Sequence, residues 1–215
     1  MIPTDERNPM AESPWPTIHA ERKALADDLA DLTPEQWSTP SLCEGWTVHQ
    51  VLGHQIATAK MTPQLFLGKM IKNGFKFTQL GLRDADAASS GAPAATLAAW
   101  RAVETSTKSP PGPKDSWLGE VLVHSEDIRR PLGISRSYPF PWVTRALDFY
   151  AGSNLIVGTK RRIEGVTLKA SDGEWQHGEG PLVEGPAMSL LLAATGRKGA
   201  LDDLTGPGVE TLRSR

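Results

Sequence analysis

The sequence EVLVHSEDIRRPLG occupies residues 120–133 and has the pattern of one helix followed by its stop. Glu120 and His124 are four residues apart, so in a helix their side chains leave the same face about one turn apart. His124 also belongs to an apolar stripe with spacings of three, four and seven residues. The members of this stripe are Trp117, Val121, His124 and Ile128. The pattern therefore predicts that His124 points towards a core, with Glu120 beside it.

This pair of side chains allows two interpretations. A carboxylate and an imidazole directed together into a helical bundle are suitable ligands for a divalent cation. The alternative is an ordinary charged pair near a helix surface, because Glu-x-x-x-His is a common spacing. A catalytic metal also needs a third ligand from elsewhere in the chain. His49 and His54 both lie on the border of another apolar stripe, and periodicity does not choose between them.

Composition narrows the class of protein. The chain has 215 residues, of which 39% are hydrophobic and 22% charged, as is ordinary for a soluble globular protein of one large or two small domains. A formal net charge of -2 predicts neither a nucleic-acid nor a membrane partner. Residues 1–14 lack the apolar segment of a signal peptide, and Cys43 is the single cysteine. We therefore expect a cytoplasmic monomer or homodimer, with Cys43 as a small buried apolar residue.

Apolar spacings, prolines and capping residues predict helices along the first two thirds of the chain. The predicted ranges are 15–32, 33–37, 47–59, 61–74, 94–107, 115–130 and 140–152. Thr47 and Gln50 have the spacing of a capping box at the start of the third helix. Residues 75–92 are rich in Gly, Ala and Ser and are read as a connection, mobile near 87–91.

The pattern changes after the helix at 140–152. Residues 165–177 alternate on either side of Ser-Asp-Gly at 171–173, which predicts a β-hairpin. An apolar helix follows at 186–195. We therefore predict a mainly α chain with a flexible tail at 1–11, a helical domain at 12–155 and a small α+β C-terminal domain at 156–215.

Two stretches resemble signatures of a known family. LCEGWTVHQVLGH at 42–54 and VHSEDIRRPLG at 123–133 resemble those of the mycothiol-dependent maleylpyruvate isomerase family. ASDGEW at 170–175 and LDDLTG at 201–206 resemble its C-terminal domain. The resemblance implies a DinB-like up-down four-helix bundle followed by the small α+β domain.

The resemblance also implies a divalent metal held by two histidines and a carboxylate. The corresponding positions are His54, Glu120 and His124, and His49 is not among them. Zn²⁺ is the expected metal, with Ni²⁺, Fe²⁺ and Mn²⁺ as alternatives. Mycothiol is implied as the thiol co-substrate, activated by the metal for attack on a small electrophilic substrate in a transferase or isomerase reaction. The alternatives are a metal-dependent hydrolase that uses metal-bound water, and a non-enzymatic bundle that binds a small ligand.

Four charged residues follow His124. Arg129 and Arg130 are candidates for binding a carboxylate of the cofactor, and the alternative is two cations placed favourably at a helix C-terminus. Glu126 and Asp127 are interpreted as a solvated face. The alternative for them is that they orient the metal ligands.

Overall fold

The computed structural model describes residues 12–74, 77–154 and 157–215, with the backbone alone for residues 77–80. The helices are α1 (Trp15–Asp28), α2 (Pro34–Trp37), α3 (Val48–Lys60), α4 (Pro63–Lys72), α5 (Phe77–Ala88), α6 (Pro93–Arg101), α7 (Lys114–Arg129), α8 (Phe140–Ala151), α9 (Thr159–Arg162), α10 (Ala187–Ala194) and α11 (Val209–Arg213). The 3₁₀ helices are Arg130–Leu132 and Lys198–Asp203, and the strands are β1 (Thr167–Ala170), β2 (Gln176–His177) and β3 (Leu182–Gly185). The predicted mainly α class is confirmed, and the predicted tail at 1–11 lies outside the described residues.

The described residues form two compact units whose chain segments alternate. The helical unit consists of Trp15–Pro113 and Glu120–Arg136. The C-terminal unit consists of 12–14, Lys114–Gly119 and Ser137–Arg215. The domain boundaries at 12–155 and 156–215 stay a prediction, since these units are not consecutive along the chain.

The start of α3 is fixed by the predicted capping box. The Thr47 side chain accepts a hydrogen bond from the Gln50 backbone, and the Gln50 side chain accepts one from the Thr47 backbone. Such caps satisfy backbone N–H groups that have no partner inside the helix. This prediction is confirmed, and it sets the rotation of the helix that carries His54.

The predicted start and stop of α7 are also confirmed. The helix begins after Pro113, ends at Arg129 and passes through one 3₁₀ turn to Gly133. Gly133 has φ 69°, a left-handed conformation that glycine adopts without strain.

The prediction of a connection at 75–92 is wrong where the structure describes it, because Phe77–Ala88 form helix α5. This helix packs against α3. A Cβ on Gly53 would lie 2.7 Å from the Ala85 carbonyl oxygen and 3.0 Å from the Ser89 Cβ. The small residues of the segment that was read as a connection therefore allow the backbones of α3 and α5 to approach closely.

The core of the helical unit joins α1, α2, α3, α6 and α7. Its buried members include Leu25, Leu29, Trp37, Val48, Val51, Leu52, Ile56, Leu97, Trp100 and Ile128. Arg22 of α1 is also buried, and it accepts a hydrogen bond at its carbonyl from the Trp100 indole, at 2.9 Å. None of the described helices is both long enough and apolar enough to cross a membrane.

The C-terminal unit contains a three-stranded sheet in the order β2-β1-β3. β1 and β2 form the predicted antiparallel hairpin, with Leu168 opposite His177. β3, which the sequence analysis did not predict, runs parallel to β1 with Thr167 opposite Leu182. The predicted apolar helix is α10, and it packs against α8 and the sheet.

Arg145 of α8 joins the three segments of this unit. Its Nη1 donates to the Glu12 carbonyl oxygen at 2.7 Å, and its Nε donates to Asp115 Oδ1 at 2.9 Å. A single buried guanidinium therefore holds the 12–14 segment and the first turn of α7 against α8.

The packing of α3 on α5 generates a stability prediction. Gly53→Ala is expected to lower the free energy of unfolding by about 1–3 kcal/mol, because the added methyl group overlaps the α5 backbone. Gly68→Ala, on α4, is the matched control, since no atom lies within 4 Å of its added Cβ. We expect the control to raise the free energy of unfolding by about 0.5–1 kcal/mol. Urea denaturation measures both, and equal stabilities of Gly53→Ala and the wild type would contradict the close packing.

Candidate metal centre

The structure brings His54, Glu120 and His124 together in the helical unit. His54 is on α3, and the other two residues are one turn apart on α7. His54 Nε2 lies 3.9 Å from Glu120 Oε1, and the two imidazole ring centroids are 4.9 Å apart at an angle of 75°. Their use as metal ligands stays a prediction.

Asp127 orients the His124 ring. The Nδ1 and Asp127 Oδ2 atoms are 2.8 Å apart, and Asp127 is fully buried. Because an ionised carboxylate only accepts hydrogen bonds, Nδ1 donates in this contact, and Nε2 is the ring nitrogen that remains for a ligand. The interpretation of Asp127 as a solvated residue is therefore wrong.

Glu126 is also buried rather than solvated. Its Oε2 accepts a hydrogen bond from Arg130 Nε at 2.8 Å, one helical turn away. The solvated-face interpretation is wrong for this residue as well, because Glu126 is buried and its charge is paired with Arg130. This partner distinguishes Glu126 from Asp127, whose carboxylate bonds to the candidate ligand His124.

Glu120 is a carboxylate in an environment that disfavours its charge. Only 17% of its side chain is exposed, and burial raises the pKa of its carboxyl group above the ordinary value. The charge of His124, a hydrogen bond from the Thr58 hydroxyl and the charge of Arg22 act in the opposite direction. A bound cation would stabilise the ionised form directly.

The donor set fits a divalent metal. Two imidazoles and one carboxylate form a set that catalytic zinc uses. Adjacent ligand atoms around a tetrahedral zinc are about 3.3 Å apart, given bonds of about 2.0–2.1 Å. The 3.9 Å between His54 Nε2 and Glu120 Oε1 is too long for a hydrogen bond but close to that spacing.

Arg22 is a buried cation next to this cluster that the sequence analysis missed. Its Nη1 donates to the carbonyl oxygens of Val103 at 3.1 Å and Ser106 at 2.7 Å. Burial lowers its pKa to about 10, and the charge of Glu120 opposes this. Arg22 therefore holds the segment that follows α6 against α1, and it adds positive charge near Glu120. Its position on α1 gives no sequence signal, because an arginine beside an apolar stripe is usually solvated.

Cys43 also lies beside the candidate centre. Its Sγ, a ring nitrogen of His124 and a carboxylate oxygen of Asp127 all lie within 4.8 Å of one another. Among the described residues, this is the group of three whose ligand atoms come that close together, and the predicted set of His54, Glu120 and His124 does not meet the same limit. Because His124 and Asp127 already bond to each other, we retain the predicted set as the candidate. Cys43 is half-buried against the core, and the Leu42 N–H donates to the Asp127 carbonyl oxygen at 3.1 Å, which holds this segment on α7.

His49 points to a different neighbour. Its Nε2 is 2.8 Å from Thr96 Oγ1 on α6, and its ring makes an edge contact with Trp37. Burial lowers the pKa of the His49 imidazole. His54, by contrast, has the Trp46 ring against it, with centroids 5.1 Å apart.

Arg129 forms ion pairs with two carboxylates. The guanidinium is fully buried, with Nε 2.7 Å from Asp28 Oδ2 and Nη1 3.2 Å from Glu21 Oε2. Both carboxylates belong to α1. The role of Arg129 and Arg130 in cofactor binding stays a prediction.

In the helical unit, α3 and α7 bring His54 next to Glu120 and His124, and helical bundles can build metal sites from side chains on facing helices. Residues 18–109 match the family model described as the mycothiol maleylpyruvate isomerase N-terminal domain. No curated protein gives a significant match.

Two solved structures are similar to the chain. One is the crystal structure of the mycothiol-dependent maleylpyruvate isomerase, with a TM-score of 0.64 and 15% sequence identity over 90% of this chain and 91% of that chain. The other is a mutant of the mycothiol-dependent maleylpyruvate isomerase in which a histidine is replaced by alanine, with a TM-score of 0.62 and 14% identity over the same shares. The predicted helical bundle with a small C-terminal domain is thereby confirmed.

The bond between Asp127 and His124 generates a prediction for metal affinity. Asp127→Asn is expected to weaken zinc binding by about 10- to 100-fold, because the amide no longer raises the basicity of the imidazole. Competition with a chromophoric chelator measures the affinity. Glu126→Gln removes a neighbouring buried carboxylate that bonds to Arg130, and we expect it to leave the affinity unchanged. Equal losses in the two variants would show that Asp127 has no orienting role.

Proposed function

We propose that the chain is an enzyme that uses mycothiol to isomerise, or to transfer a thiol to, a small electrophilic substrate. We further propose that His54, Glu120 and His124 hold a divalent metal for this reaction, with Zn²⁺ as the expected ion. The observation that carries the proposal is the close approach of His54, which lies within the matched residues 18–109, to Glu120 and His124 of α7. The matching domain and both similar structures bear the name of a mycothiol-dependent isomerase.

A bound divalent metal would supply a Lewis acid that favours the deprotonated form of a thiol or a water molecule at neutral pH. The protein's own residues hold the two histidines of the proposed metal site in a defined orientation. Asp127 holds the proton on His124 Nδ1, so that Nε2 is the ring nitrogen that can coordinate. The edge contact between the two imidazoles restrains their rotation.

The surroundings of the proposed metal position also include an aromatic ring and two charged side chains. The Trp46 ring lies against His54 and covers part of its surface. Glu120 brings one negative charge, and Arg22 keeps a positive charge close to it.

The ligand assignment is tested by metal content. His54→Ala and His124→Ala are each expected to lose stoichiometric metal, because two remaining protein ligands do not hold a catalytic ion tightly. Elemental analysis of the purified, folded variants measures the content. His49→Gln is the control, since it changes a histidine of the same helix that contacts Thr96 instead, and it should retain the metal. Full metal content in His124→Ala would contradict the assignment.

The reaction is tested by assaying the metal-loaded protein with maleylpyruvate and with a panel of small electrophiles, with and without mycothiol. We expect turnover that requires mycothiol and falls at least about 100-fold in Glu120→Gln, because a Lewis acid contributes several kcal/mol to the barrier. Loss of free thiol identifies a transferase, and its recovery after turnover identifies an isomerase. Thiol-independent ester or amide turnover would support a hydrolase instead. No turnover of any panel member would favour a non-enzymatic binding protein.

A further inference from the structure

The C-terminal unit contains a cavity that lies outside the candidate metal centre. Its volume is ≈ 440 Å³, within the range of roughly 300–1,000 Å³ that is typical of small-molecule sites. The lining residues are Val157, Gly158, Arg161, Arg162, Glu164 and Arg215. A cavity with three arginines and one glutamate presents a net positive surface.

The Arg162 guanidinium is held in place by the backbone. Its Nη1 donates to the carbonyl oxygens of Val157 at 3.0 Å and Ala194 at 2.9 Å. A Cβ on Gly196 would lie 3.3 Å from the guanidinium carbon, so the backbone at Gly196 covers it on that side. The group is therefore already ordered, and binding a ligand would cost little further side-chain entropy.

The Arg161 guanidinium lies at the same segment. A Cβ on Gly158 would be 3.7 Å from Arg161 Nη2, and Arg162 bonds to the carbonyl of the preceding Val157. The Asn154 side chain accepts a hydrogen bond from the Arg161 backbone N–H at 2.8 Å, which fixes the start of α9. Arg161 and Arg162 thus both line the cavity from consecutive positions of the chain.

Glu164 contributes one negative charge to the cavity, but within the described residues it forms no ion pair with these arginines. Among the ion pairs of the described residues, none includes Arg161, Arg162 or Arg215. Arg215 Nη1 donates instead to the carbonyl oxygens of Arg162 and Glu164. Burial and the charges of Arg197 and Arg161 lower the pKa of Arg162, as expected where positive charges accumulate.

We propose that this cavity binds a small anion through an oxyanion group, a carboxylate or a phosphate, held between Arg161 and Arg162. The planar guanidinium fork matches the paired oxygens of both groups. The cavity volume leaves room for a ligand larger than the oxyanion itself. This site does not depend on the metal centre, which belongs to the helical unit.

The test is a titration of the full-length chain with inorganic phosphate and, separately, with citrate, followed by backbone amide NMR shifts at constant ionic strength. Constant ionic strength is needed because salt screens exposed charges. We expect saturable shifts at Gly158, Arg161 and Arg162 with a Kd below about 1 mM for at least one probe. Saturation by phosphate, by citrate or by both supports the site and identifies which oxyanion it prefers.

Two variants distinguish binding in this cavity from a general attraction of anions to positively charged residues. Arg161 is exposed, so Arg161→Gln should fold, and we expect it to weaken binding about tenfold, as for the loss of one charge-assisted contact. Lys160→Gln removes the same charge from the adjacent exposed position outside the cavity and should leave the affinity unchanged. The proposal is overturned if the wild type shows no saturable shift with either probe, or if the two variants weaken binding equally.

Discussion

The buried guanidinium of Arg129 is the interaction on which the candidate centre depends. It lies at the end of α7 and bonds to Glu21 and Asp28 of α1, and Glu21 also pairs with Arg136 at 2.7 Å. Removing one partner of such a buried pair costs about 3–5 kcal/mol, because the remaining charge is left uncompensated. The network therefore fixes α7 against α1 and, with it, the direction in which Glu120 and His124 project.

A second constraint fixes the position of α3, the helix that carries His54. The capping box at Thr47 sets the start of α3, and close packing of α3 on α5 at Gly53 sets its depth. His54 is the residue after that glycine. The position of its imidazole thus depends on a helix contact in which a Cβ at Gly53 would overlap the α5 backbone. The position of α7 is therefore held by ion pairs, and the position of α3 by the close approach of two helix backbones.

Local signals in the sequence predicted the elements well wherever a cap, proline or glycine marks a boundary. Thr47 with Gln50 predicted the start of α3, and Gly133 predicted the end of α7. Helix α5 was missed because residues 75–92 were read from their Gly, Ala and Ser content as a connection, although alanine is the strongest helix former. Strand β3 was missed because its pairing with β1 joins residues fifteen positions apart and depends on tertiary contacts.

For the site, the i, i+4 spacing of Glu120 and His124 predicted a shared helix face, whereas the third residue came from family resemblance. Asp127 and Glu126 were misread because sequence alone does not show whether a charged residue has a buried partner. The roles of Arg22 and Arg129 were missed for the same reason, since their partners are separated from them by about 80 to 110 positions of the chain.

Helix α7 belongs to both compact units, and Arg145 holds its first turn to α8 and to the 12–14 segment. The C-terminal unit is therefore not a removable appendage at the end of the chain. A chimera that exchanges only residues 137–215 with a relative separates Arg145 from its native Asp115 partner. Its assembly also requires segments more than one hundred positions apart to meet, so closing this unit carries the entropy cost of a long loop.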